Sequence, residues 1–204
     1  ARGTGSTPNT AFRTVWQSPT QTPFFPQIIS PTTFNQTHKG SINFDYRFGV
    51  DDGPEFLGSK ILSRFGANLL FTFGSGFNYT RWEGFGNSRI PLETLNASTT
   101  PWTYQLDARI DKSFSIGPLN MNVYLWVINV LNTQNIVGVF NTSGDAFDDG
   151  WLASPEGAQR YLGFKNQYGE EAAETYKQLY LADIYDPSFF GPPRQIRLGI
   201  KLEY

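Results

Sequence analysis

The last ten residues, Gln195 to Tyr204 (QIRLGIKLEY), constrain the fold more than any other stretch. Ile196, Leu198, Ile200, Leu202 and Tyr204 fall on one phase, and Arg197, Gly199, Lys201 and Glu203 on the other. Strict alternation over this length specifies a strand that is apolar on one side and charged on the other. It is also the length with which a tilted strand crosses a bilayer core. Strands of soluble sandwiches alternate too, but are usually shorter.

The same period recurs upstream. At about 38–48, Ile42, Phe44, Tyr46 and Phe48 alternate with Ser41, Asn43, Asp45 and Arg47. At about 61–80, Phe65, Ala67, Leu69, Phe71 and Phe73 share a face before a GSGFNYT continuation. From Trp102, the residues Tyr104, Leu106, Ala108 and Ile110 oppose Gln105, Asp107, Arg109 and Asp111. Such a polar face is costly in a packed core and cheap in a wet lumen. A Gly117-Pro118 turn leads into a fourth strand, about 119–131. There Asn120, Asn122, Tyr124 and Trp126 oppose Met121, Val123, Leu125 and Val127, and both phases turn apolar higher up, where a bulge would re-phase the strand.

Between these strands lie three irregular stretches. Residues 1–36, rich in Thr, Pro, Gln and Asn, read as an irregular loop. Residues 81–101 read as a polar loop, and 140–192 as a long insertion with helical character. In the insertion, Ser154 before Pro155 is an N-cap signal. Ala172, Ala173, Tyr176, Leu179 and Tyr180 then follow helical spacing to a stop near Asp186-Pro187.

Composition narrows the class. The chain has 18 Phe, 10 Tyr, 5 Trp and 20 Gly, which suits a β-rich protein with aromatic girdles and many turns. A net charge of −2 with dispersed basic residues gives no electrostatic case for nucleic acid. The absence of Cys removes disulfides, thiolate metal sites and Cys nucleophiles. No apolar run is long enough for a transmembrane helix, which leaves barrel strands open. The chain opens at Ala1 without a signal segment, as a processed or truncated piece would.

The fold class expected is therefore all-β: an antiparallel transmembrane β-barrel segment with a partly helical extracellular loop. About five strands occupy 37–204, with extracellular loops at about 81–101 and 140–192, and 1–36 outside as well. Only closed barrels satisfy backbone hydrogen bonding in lipid, so further strands are expected, in the same polypeptide or from a partner chain.

Several stretches together resemble the C-terminal part of a TonB-dependent outer-membrane receptor, of the Oar-like and SusC-like branches. They are INFDYRFG, the Phe-rich strand running into GSGFNYT, LDARIDKSF before a short turn, VINVLNTQN, and FFGPPRQIRLGIKLEY. The resemblance covers about 37–204 and implies a 22-stranded barrel plugged by an N-terminal domain, in the outer membrane of a Gram-negative bacterium. The plug, the energy-coupling box and most strands are absent from this chain. The implied function is nutrient uptake, of a siderophore, oligosaccharide or peptide. The alternative is a structural or interaction subunit of an outer-membrane complex without transport of its own. Implied partners are outer-membrane lipid, the remaining strands and plug, the inner-membrane energy-coupling protein through the missing N-terminal part, and the barrel-assembly machinery. The last would read the terminal aromatic strand through Ile200, Leu202 and Tyr204.

No enzyme constellation emerges, and no catalytic residue, cofactor or metal site is expected. His38 is the only histidine, with no nucleophile or carboxylate pattern around it. Asp145, Asp148 and Asp149 depart from calcium-loop spacing and read as a solvated acidic loop. Glu170, Glu171 and Glu174 suit a helix N-terminus, with Glu174 placed to meet Lys177. Tyr79, Trp82 and Trp102 are assigned to the outer interface, Phe114 and Tyr204 to the inner one. Trp82, Phe85, Trp151, Tyr161 and Phe164 are the loop aromatics able to stack on a sugar or peptide.

Overall fold

A computed structural model describes Arg2–Thr4 and residues 29–56, 58–86 and 89–203. Tyr204 and most of 1–36 lie outside the described residues. The fold is mostly β, and the chain divides into two units. One comprises 38–74, 102–135 and 191–204; the other comprises 1–37, 75–101 and 136–190.

The first unit is a five-stranded antiparallel sheet: β1 (Lys39–Arg47), β2 (Phe65–Gly74), β3 (Thr103–Ile116), β4 (Leu119–Ile128) and β5 (Gln195–Glu203). Each strand pairs with its neighbours in sequence, so the sheet is a meander, and among the described residues β1 and β5 each keep one unpaired edge. β3 and β4 join through Gly117 and Pro118. Gly117 adopts φ +61, as the first central position of a two-residue hairpin turn requires.

Register converts the alternation into two faces. Phe44, Leu69, Ala108, Val127 and Ile196 form one row, and Tyr46, Ala67, Ile110, Leu125 and Leu198 the next. Asp45, Asn68, Arg109, Trp126 and Arg197 form the row between them on the opposite face. β4 keeps one phase from Leu119 to Val127 with no bulge. Lys112 is the one charged residue on the apolar phase. Its ammonium bends away to donate to the carbonyls of Ile61 and Ser63 in the β1–β2 connection.

Two expected boundaries move. The strand expected over 61–80 is β2 alone. Arg64, at φ +54, turns the chain into it, and it ends at Gly74. Asn78–Tyr79 then pairs with Ser98–Thr99, and Gly76 lies against the Thr100 backbone with no room for a Cβ. The strand expected over 119–131 stops at Ile128 because Asn129 adopts φ +56.

The second unit contains the other elements. Arg2–Thr4 pairs with Ile29–Pro31, so the segment read as irregular holds a short strand pair. Trp82–Glu83 pairs with Ile90–Pro91 inside the polar loop. Two helices follow, α1 (Pro155–Tyr168) and α2 (Glu170–Asp183). Ser154 caps α1 by accepting from the Gly157 amide at 3.1 Å, with Pro155 in the first turn. Gly169, at φ +89, makes the corner between the helices. Large buried apolar side chains are scarce: among the described residues only Val139, Ala146 and Ala173 are buried apolar groups.

Candidate functional site

The two faces of the sheet differ in how their side chains are used. On the apolar face the large groups stand open: Leu198 is 76% exposed and Ile42 64%, with Phe44, Ile110, Ile196, Ile200 and Leu202 also exposed. Ile200 and Leu202 thus lie on the apolar face beside Val123 and Met121. Rings gather at one end of this face, where Trp102, Tyr104 and Phe71 stack in series and His38 stacks on Trp102 at 5.9 Å. Phe114, assigned to the opposite girdle, sits near the β3–β4 turn, paired with Met121.

On the polar face, side chains hold one another. Arg47 contacts Asp45 at 3.1 Å and Asp111 at 3.3 Å. Asn68 donates to Asn43 and Asp45, and Asn122 donates to Asp111 and Ser113. Asp111 is 6% exposed, and its two donors, Arg47 and Asn122, compensate its burial. The Arg109 guanidinium lies 4.7 Å from the centre of the Tyr124 ring, and that of Arg197 lies 5.3 Å from Trp126. A shallow cavity of about 280 Å³ opens here, among Arg47, Arg109, Asp111, Asn122, Lys201 and Glu203.

Two glycines make this face possible. Gly66 lies between Arg47 and Asp111 in one row, and Gly199 lies beside Tyr124. A Cβ at either would strike the long side chain that crosses it.

Three asparagines at intervals of three, Asn129, Asn132 and Asn135, close one end of the sheet. Asn129 is fully buried. Its amide donates to the carbonyls of Thr133 and Pro192, its Oδ1 accepts from Thr133 N–H, and its backbone N–H donates to Asp107. Asn132 accepts from Arg194 N–H at 3.0 Å. Asn135 exchanges two hydrogen bonds with the Tyr104 backbone, at 2.8 and 2.9 Å, as a strand partner would. Reading the residues did not single these out. The three-residue spacing within VINVLNTQN was the available signal.

In the second unit the acidic loop is self-occupied. Asp145, Asp148 and Asp149 each accept from a backbone N–H two residues on, and Asp149 also accepts from the Tyr180 hydroxyl at 2.8 Å. No group of ligating side chains suited to a metal occurs among the described residues. Burial, with the Asp149 bond second, raises the Tyr180 phenol above its ordinary value.

The five loop aromatics are not gathered. Trp82 sits in its short strand pair, its backbone N–H donating to the Asn141 carbonyl. Phe85 and Tyr161 are half-buried at separate positions. Trp151 packs on Tyr180, and Phe164 packs on Tyr168 and Tyr176. Tyr79 lines an open cavity of about 420 Å³ with Phe34, Phe77, Val137 and Phe189. No family model, curated protein or solved structure matches the chain.

Proposed function

We propose that the sheet is a wall segment of a transmembrane β-barrel in the outer membrane of a Gram-negative bacterium, from the C-terminal part of a TonB-dependent receptor that imports a nutrient. One observation carries this reading: an apolar face continuous over five strands and open to its surroundings, backed by a polar face that is fully organised. Apolar patches of this extent are rare on soluble monomers.

The dimensions support it. From Tyr104 to Phe114 the strand rises about 33 Å at 3.3 Å per residue. At a tilt near 40° that becomes about 25 Å, the height of the apolar band of an outer-membrane barrel. The ion-paired face would line a wet interior, and the unpaired edges of β1 and β5 would meet further strands. The imported class (siderophore, oligosaccharide or peptide), the plug and the energy-coupling protein rest on the sequence resemblance.

Uptake measurements in the native bacterium test the transport part. Removing the protein should abolish uptake of one nutrient class, and removing the energy-coupling protein should have the same effect. Unchanged uptake of all three classes, with the protein still held in an outer-membrane complex, would move the assignment to a structural subunit.

A further inference from the structure

The helical hairpin carries a second, unrelated feature. Phe164 and Tyr168 of α1 and Ala172, Tyr176 and Leu179 of α2 line an open groove of about 530 Å³, with Glu171 at its rim. Phe164 lies 5.1 Å from Tyr176 and 4.7 Å from Tyr168, centre to centre, so three rings cluster along the groove. Tyr168 and Leu179 are exposed, and Ala173 of α2 is fully buried.

Charge sets Glu171 apart from its neighbours. Glu170 is paired with Lys165 at 2.6 Å and Glu174 with Lys177 at 3.9 Å. The Glu171 carboxylate has no cation among the described residues, and no Lys or Arg lines the groove. Aromatic faces present negative potential to a cation, and an adjacent carboxylate adds to it. Such a surface discriminates against anions and gains little from a neutral ligand.

We propose that this groove binds the cationic head of a small ligand, a quaternary or alkylated ammonium. The rings take the alkyl groups and the charge, and Glu171 supplies the counter-ion. The site lies wholly within the hairpin and stands independently of the role proposed for the sheet.

The test uses the full chain in a neutral maltoside detergent. Choline chloride is titrated by calorimetry, beside its uncharged isostere in which a tert-butyl group replaces the trimethylammonium. The expected result is saturable choline binding, with the isostere weaker by about tenfold or more. Glu171→Gln, an exposed and conservative change, should weaken choline while leaving the isostere unchanged, and Tyr168→Ala should weaken both. Equal affinity for choline and the isostere would overturn the proposal in favour of a merely apolar groove. Absence of saturable choline binding, or binding unaffected by both substitutions, would also overturn it.

Discussion

Arg47 of β1 reaches across the whole width of β2 to Asp111 of β3, at 3.3 Å, because the residue between them is Gly66. A Cβ at Gly66 would stand 2.8 Å from the Arg47 guanidinium and 3.1 Å from Asp111 Oδ1. Glycine weakens a strand interior, and here the arginine covers the gap it leaves.

Replacing Gly66 by Val should therefore sever this pair. Arg47 is largely exposed, so the electrostatic loss is modest, about 0.5–1 kcal/mol. The diagnostic is the double-mutant cycle: Gly66→Val and Arg47→Ala should be clearly non-additive in denaturant unfolding. Additive effects would mean that the pair contributes nothing to holding β1 on the sheet.

Asn129 should be far more sensitive. Asn129→Ala removes the bonds to Thr133 and Pro192 and places a Cβ-bearing residue without polar side chain at φ +56, a loss of about 2–4 kcal/mol. Asn129→Gly accepts the backbone angle and isolates the hydrogen-bond share. Unfolding midpoints for both, in the same detergent, separate the two contributions. A midpoint within error of the parent for Asn129→Ala would show that the asparagine knot does not hold β4 to the entry of β5.

The Tyr180–Asp149 bond makes a pH prediction. Tyr180 is raised above the ordinary tyrosine value of about 10. A raised folded value means that its stabilising contribution is complete below the unfolded value and is lost as pH rises toward the folded one. Tyr180→Phe should thus cost stability at neutral pH, and the cost should shrink at strongly alkaline pH. In spectrophotometric titration, removing Tyr180 should delete a phenol that ionises above the ordinary tyrosine value. Deletion of an early one would contradict the assignment.

Ser154 offers a local control. Ser154→Ala should cost about 1 kcal/mol and fray the start of α1, read by amide exchange at Gly157, while the sheet amides remain as protected as before.

Much of the sheet was legible because alternation leaves little freedom once one face must be apolar. The Gly117-Pro118 hairpin and the Ser154-Pro155 helix start were legible because each residue type has a specific backbone consequence. The end of β2 was not. Gly76 breaks the strand through its closeness to Thr100, twenty-four residues on, and no local pattern records that. The partners of the loop aromatics were not legible for a similar reason: a ring's identity does not say which ring it meets. Phe164 found Tyr168 and Tyr176 through the helical hairpin, whereas Trp151 was taken by Tyr180. The three asparagines are spaced regularly, yet Asn129 and Asn132 serve the 192–194 segment and Asn135 the backbone of Tyr104.

The measurement that bears most directly on the proposed wall is a spin-label scan of β5 in lipid. The chain has no native Cys, so single cysteines at Ile196, Arg197, Leu198, Ile200, Lys201 and Leu202 can be labelled cleanly, Gly199 being left out because a Cβ there would strike Tyr124. Accessibility to lipid-soluble oxygen should peak at Ile196, Leu198, Ile200 and Leu202. Accessibility to a water-soluble nickel chelate should peak at Arg197 and Lys201. A period of two, with the reagents out of phase, is the expected result. High nickel accessibility at Leu198 and Ile200, equal to that at Arg197 and Lys201, would contradict a lipid-facing sheet and with it the barrel reading.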